Sequence, residues 1–156
     1  MRSPDPWLAI PLSFAAGILM TVFPLPPVLG WWRPEWLLLL LVFWVRHQPS
    51  YVGIWTGFLL GLVMDIVLGA HFGVHAAEYA VIAWLTFALS RRFRSGPLSH
   101  GLLLVACLVM TALLIRFLLE TILGNRPVSS FYWLPVVSST VCWPLMTAAL
   151  QRWEKT

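Results

Sequence analysis

The sequence predicts an all-α integral membrane protein with about six transmembrane helices. Three observations carry this reading. Of the 156 residues, 60 % are hydrophobic and only 10 % charged, where a soluble domain carries about 25 % charge. The apolar residues fall in long runs separated by short connections rich in Pro, Gly and Arg, as bilayer spans do. The basic residues gather in alternate connections, the asymmetry that orients spans. So little sequence lies between the runs that no soluble catalytic or nucleotide-binding domain is expected. The net charge of +4 therefore reads as a topology signal and not as a nucleic-acid surface.

The first apolar run, 7–23, follows a short polar start with Arg2 and Asp5. With one basic residue before it and no small-x-small cleavage site after it, it reads as a retained span with Pro11 in its first turn. Pro24, Pro26 and Pro27 end it and predict a rigid, extended connection. Trp31, Trp32 and Trp36 around Arg33 and Glu35 suit a membrane–water boundary. Pro34 suits the first turn of a second helix over 34–47. Its fully apolar part is only about 10 residues, or ~15 Å at 1.5 Å per residue, so this helix is short for a span.

A polar turn at Arg46-His47-Gln48-Pro49-Ser50 leads to a third helix over 51–68. A turn through Gly69-Ala70-His71-Phe72-Gly73 leads to a fourth over 74–90. The basic loop Arg91-Arg92-Phe93-Arg94 precedes a fifth helix over 100–123. The turn Gly124-Asn125-Arg126-Pro127 precedes a sixth over 132–150, with a kink expected at Trp143-Pro144. An even span count with both termini cytoplasmic puts Arg2, Arg46, Arg91, Arg92, Arg94, Arg152 and Lys155 inside, against Arg33 and Arg126 outside. The whole chain, 1–156, then forms a single transmembrane domain.

Gly53, Gly57, Gly61, Asp65 and Gly69 recur every four residues along the third helix, with Gly73 just beyond it. That spacing makes a ridge along one helix face. In lipid, where apolar contact alone supplies no drive for association, such a ridge lets a neighbouring helix approach closely. These glycines are expected to pack helices, with Asp65 either pointing at protein or capping the span end.

The predicted topology brings Asp65, His75, Glu78, Arg116 and Glu120 to similar depth near the outer face. Each uncompensated charge at the bilayer centre costs at least ~2.5 kcal/mol, so these residues should face one another or a polar cavity. Arg116 is expected to pair with Asp65, or with Glu120 one helical turn on. A metal site from His71, His75 and Glu78 has helical spacing but lacks a full ligand set, and no second pair of broken helices suggests a carrier's substrate or proton path.

Nucleophilic catalysis has little support. Ser138, Ser139 and Thr140 have no His or Asp near them in sequence, and such hydroxyls in membrane helices commonly bond their own backbone. Cys107 and Cys142 lie in apolar runs without CxxC or metal spacing, and His47 and His100 read as solvated boundary residues. No catalytic residue, metal or cofactor is expected.

The chain resembles the MreD family, a rod shape-determining membrane protein of bacteria. The residues that carry the resemblance begin with Arg33-Pro34-Glu35-Trp36, the Leu run after it, and Phe43-Trp44. They continue with Gly57-x-x-x-Gly61-Leu62-x-x-Asp65-x-x-x-Gly69-x-x-x-Gly73-Val74-His75-Ala76, then Phe93, Pro97-Leu98 and Trp143-Pro144. Arg33, Pro34, Gly57, Gly61, Asp65, Gly69 and Gly73 sit at motif positions, whereas Glu78, Arg116 and Glu120 are not part of the pattern.

The resemblance implies a multi-pass protein of the bacterial inner membrane working in cell elongation. It implies an MreC-like partner and, directly or indirectly, the MreB filament, the RodA glycosyltransferase and a penicillin-binding transpeptidase. The family's fold is similar to that of the substrate-binding components of vitamin transporters, but fold alone does not carry function. The expected role is a non-enzymatic scaffold that helps to organise peptidoglycan synthesis. Arg33, Pro34 and Trp36 would meet the partner, and Arg91, Arg92 and Arg94 would meet anionic lipid or a cytoplasmic protein. The alternative is a small-molecule binding subunit of a transporter, with its pocket at the outer polar cluster.

Overall fold

The computed structural model describes residues 6–91, 98–125 and 129–155. Arg2, Arg92, Arg94 and Arg126, which enter the charge argument, and Phe93 and Pro97 lie outside them. The described chain is all-helical: α1 (Pro6–Val22), α2 (Pro27–Gly30), α3 (Trp36–His47), α4 (Ile54–Leu68), α5 (Val74–Ser90), α6 (Leu98–Ile122) and α7 (Leu134–Lys155), with one 3-10 turn at Ser130–Trp133. No strand occurs among the described residues.

Helix α3 is the centre of the bundle. Every residue from Leu37 to Val45 is buried, and α1, α5, α6 and α7 all pack against it. A helix apolar on every side is one enclosed by protein or lipid, and here protein encloses it. This explains its shortness. At ~18 Å for 12 residues it falls short of the ~30 Å bilayer core, but its flanks meet side chains instead of acyl chains. The glycine-bearing α4 lies at the periphery, packed on α5.

The outer surface is apolar. Trp7 and Leu19 on α1, Trp55 and Ile66 on α4, Leu103 on α6 and Leu145 on α7 are all exposed. Such a surface suits lipid. Two helical stretches, Ser99–Ile122 and Ser130–Arg152, are long and apolar enough to cross a bilayer; α1, α3, α4 and α5 are apolar but shorter.

Local chemistry sets the helix limits, and several differ from the sequence expectation. The proline connection is extended only to Pro26, after which Pro27–Gly30 closes one helical turn, with the Leu29 and Gly30 N–H groups bonded to the Pro26 carbonyl. Pro11 falls inside α1, beyond the first turn, because the helix already begins at Pro6. Helix α3 starts at Trp36 rather than Pro34, because Glu35 at φ −77° and ψ 69° is outside the helical region; its N–H, free of the helix, donates to Ser139 Oγ of α7 at 3.0 Å. Helix α4 starts at Ile54 rather than Tyr51, because the turn that bonds the Tyr51 and Val52 N–H groups to the Gln48 carbonyl is broken by extended backbone at Gly53, φ −147°. Pro144 lies within α7, which continues past it to Lys155.

Hydroxyls inside the helices are bonded locally. Thr86, Thr111, Thr121 and Thr140 each donate to the carbonyl four residues back, the usual arrangement for hydroxyls in apolar helices. Ser13, like Ser139, links elements as well: its Oγ donates to Ile10 and accepts from the indole N–H of buried Trp44 at 2.8 Å.

Candidate functional site

The polar residues gather at the end of the bundle where α4 closes and α3 and α5 begin. The α4–α5 connection is built around Asp65. Gly69 ends α4 in the left-handed conformation at φ +62°. The Gly69 N–H bonds the Ile66 carbonyl, and the Ala70 N–H bonds the Asp65 carbonyl at 3.0 Å, a Schellman closure.

Gly73 precedes α5 at φ +99°, which favours glycine and so leaves α5 with no capping side chain of its own. Asp65 supplies it from across the turn. Its Oδ2 accepts from the Gly73 N–H at 2.8 Å, and its Oδ1 accepts from the His75 N–H at 3.0 Å. The same Oδ1 lies 2.8 Å from His75 Nδ1; a carboxylate only accepts, so the ring proton sits on Nδ1. The carboxylate is fully enclosed, and its partners are the positive N-terminal end of α5 and one imidazole.

Tight packing holds this hairpin together. A methyl at Gly57 would stand 2.7 Å from the Tyr79 carbonyl oxygen. One at Gly61 would collide with the His75 carbonyl and the Ala76 backbone. Gly57 and Gly61 therefore let α4 lie directly on the backbone of α5. The expectation that Gly53, Gly69 and Gly73 also pack helices is corrected: a methyl at any of the three meets nothing within 4 Å. They serve chain geometry, with Gly53 extended before α4 and the other two in left-handed turns.

Arg116 of α6 is the second centre. Its Nε and Nη2 donate to Glu78 of α5, both at 2.8 Å. Its Nη1 and Nη2 reach Glu35 at 3.0 and 3.3 Å. One guanidinium thus clamps two carboxylates in fork geometry and joins α6 to α5 and to the start of α3. With Ser139 bonded to the Glu35 backbone, α7 joins the same network.

The expected pairing of Arg116 with Asp65 or Glu120 is corrected. Asp65 is already satisfied by N–H donors, whereas the side chain of Glu78 is 0 % exposed and would be a bare buried charge without the arginine. Glu120 is half-buried one turn along α6 and takes no part in the bonds from Arg116. Glu35, expected at the membrane boundary and outside the cluster, is thus one of its members. Its position at the start of α3, level with the other charges, was the available signal.

His71, His75 and Glu78 do not converge. His71 Nδ1 stands 3.5 Å from the Asn125 side-chain amide, His75 faces Asp65, and Glu78 faces Arg116. Among the described residues no three His, Cys, Asp or Glu side chains are grouped to hold a metal ion.

Arg33 points back along the chain and donates to the Thr21 and Phe23 carbonyls at the end of α1, where a cation complements the negative helix end. Trp36 borders two largely apolar grooves. One, of about 380 Å³, runs between α1 and α7 past Leu12, Met20 and Met146. The other, of about 560 Å³, continues past Met20 to Leu25, Trp32, Arg33 and Pro34. At the opposite end of the bundle Arg91 is exposed, with its guanidinium 5.4 Å from the centre of the Phe87 ring.

An all-helical bundle with an apolar exterior, its buried charges paired with one another and two helices long and apolar enough to cross a bilayer, fits a membrane protein. The profile described as rod shape-determining protein MreD matches residues 1–153. Rod shape-determining protein MreD of Haemophilus influenzae is 30 % identical over 149 residues, covering 94 % of this chain and 90 % of that protein. The chain belongs to the MreD family of rod shape-determining proteins, and its role lies in cell shape. No solved structure matches the chain. Neither comparison leads to a transporter component, so the small-molecule subunit alternative has no support.

Proposed function

We propose that this protein is a non-enzymatic scaffold of the cell-elongation machinery in the bacterial inner membrane. In this reading the described helices, apart from α2, cross the membrane as six spans. Both termini are cytoplasmic, and the polar network lies toward the outer leaflet. The observation that carries the scaffold reading is the double clamp of Arg116 on Glu78 and Glu35. The strongest charges in the bundle are consumed in holding four helices at fixed positions. A catalytic or transport site keeps such groups available to a substrate; here they are spent on one another.

The rigid bundle then offers two surfaces. At the outer end, Arg33, Pro34 and Trp36 border the grooves along α1, and this face suits the membrane helix and adjoining segment of an MreC-like partner. The wall-synthesis enzymes and the MreB filament are reached directly or through that partner. At the inner end the arginines from Arg91 onward set topology and face the cytoplasmic side. Pro144, which leaves the Thr140 carbonyl without its helical donor, is the expected bending point of α7.

Depletion in the protein's own host tests the cell-shape role. Rods should widen and round as the protein is lost, and re-expression should restore them. Rods of unchanged width and wall-synthesis pattern after full depletion would contradict the proposal.

A further inference from the structure

A cavity of about 390 Å³ opens between the ends of α3 and α5, lined by Val45, Arg46, His47, Phe87, Ser90 and Arg91, with Pro49 beside them. Its volume falls in the ~300–1,000 Å³ range of small-ligand sites. Its chemistry differs from that of the apolar grooves. Two arginines, a histidine and a serine whose hydroxyl donates to the Phe87 carbonyl line one hollow.

Aromatic neighbours hold two of these groups. The His47 ring is stacked on Phe43 at 4.0 Å, and its Nδ1 lies 2.9 Å from the Phe43 carbonyl, leaving Nε2 unused by that bond. Arg91 rests over Phe87. Arg46 is half-buried and extends toward Gly101 of α6, where the missing side chain leaves its guanidinium room.

Among the described side chains no acid balances this charge nearby. The acidic residues whose side chains are described, Glu35, Asp65, Glu78 and Glu120, sit at the other end of the bundle, where α3 and α5 begin and α4 and α6 finish. Part of the positive charge offsets the negative C-terminal ends of α3 and α5. Neutralising helix ends requires only exposed side chains, however, and does not require a hollow whose lining includes apolar Val45 and Phe87.

We propose that the hollow formed by Arg46, His47, Ser90 and Arg91 is a binding site for the phosphate of an anionic phospholipid. The site lies where the helices leave the bilayer, so headgroup phosphates reach it from the side. Basic pockets between membrane helices at the cytoplasmic face suit such headgroups. Two arginines with no acid beside them among the described side chains favour a lipid of net negative charge over a zwitterionic one, whose ammonium finds no partner there. The apolar wall suits the glycerol and first acyl carbons better than an acidic peptide. The inference rests on the membrane reading but not on which end faces the cytoplasm.

The test uses the whole protein purified in a neutral detergent, with phosphatidylglycerol, phosphatidylethanolamine or inorganic phosphate added separately. Retained lipid is read by native mass spectrometry and stabilisation by thermal unfolding. Phosphatidylglycerol should be retained and should raise the unfolding temperature, and phosphatidylethanolamine should do neither. Arg91→Gln, at an exposed position that leaves the core untouched, should weaken retention about fivefold, and Arg46→Gln with Arg91→Gln about thirtyfold. Stabilisation by inorganic phosphate, lost in the same variants, would support the phosphate site while identifying the anion and not the lipid tail as its determinant. Equal retention of both lipids, or unchanged retention by Arg91→Gln, would overturn the proposal. Detergent exposes both ends of the bundle, so an error in membrane orientation would appear separately, in cysteine labelling of intact cells.

Discussion

Asp65 caps the helix in which His75 is the second residue. One carboxylate at the end of α4 takes the Gly73 and His75 backbone N–H groups and faces the His75 ring, while its own carbonyl closes α4 through Ala70. The cap that Gly73 cannot provide is thus delivered across the turn, and the α4–α5 hairpin is locked at its tip.

Replacing Asp65 should therefore unlock that tip. Loss of a helix cap costs ~0.5–2 kcal/mol, and a buried imidazole N–H left without an acceptor adds ~1–3 kcal/mol. Asp65→Ala should lower the unfolding temperature in detergent, Asp65→Asn less so, because the amide oxygen still accepts one bond. Asp65→Ala and His75→Ala should be clearly non-additive in combination. Additive losses would mean that the two side chains do not act together.

The glycines of α4 should separate into two groups. Gly61→Ala places a methyl against the α5 backbone, which has no side chain to swing away, and should cost ~1–3 kcal/mol or more. Gly57→Ala should cost somewhat less, and Gly53→Ala, with open space around it, close to nothing. Equal tolerance of alanine at Gly53 and Gly61, in unfolding and in restoring rod shape, would rule out the close α4–α5 approach.

Gly73 should resist substitution for a different reason. Nothing crowds it, but its φ of +99° is strained for any other residue. Gly73→Ala should destabilise by ~1–3 kcal/mol, and Gly73→Asn by less, since asparagine tolerates positive φ better. The order of the two variants in a thermal unfolding series checks this. Alanine as good as asparagine there would contradict it.

The Arg116 clamp predicts a rescue. Arg116→Leu leaves Glu78 and Glu35 facing each other without a counter-charge, a loss of ~3–5 kcal/mol for breaking a buried pair. Combining Arg116→Leu with Glu78→Gln and Glu35→Gln should recover much of the folded yield. Arg116→Lys should rescue poorly, since a single ammonium cannot make two forked contacts. A triple variant no better than Arg116→Leu alone would assign the arginine some other role.

The all-helical class and the helix limits around Gly69 and Gly73 were legible because glycine, proline and arginine punctuate long apolar runs. The identity of the central helix was not. A leucine facing lipid and a leucine facing protein are the same residue, so Leu37–Leu41 read as a short span and not as a core enclosed by α1, α5, α6 and α7.

Counting from the expected helix ends likewise gathers Asp65, His75, Glu78, Arg116 and Glu120 at one level, and the structure has them at one end of the bundle. Depth says nothing of which way a side chain turns around its helix. That is why Arg116 found Glu78 and Glu35 in place of Asp65 or Glu120. Glu35 and Ser139 escape a sequence reading because one sits among boundary tryptophans at a helix start and the other looks like an ordinary helix hydroxyl.

The central claim is that this bundle is a scaffold and not a carrier or an enzyme. Affinity purification of the tagged protein in mild detergent, with mass spectrometry of what accompanies it, tests that most directly. An MreC-like protein should co-purify with cell-wall synthases, and Arg116→Leu should lose them while the triple variant regains them. Recovery of transporter ATPases with a coupling subunit, and no wall-synthesis proteins, would contradict the account.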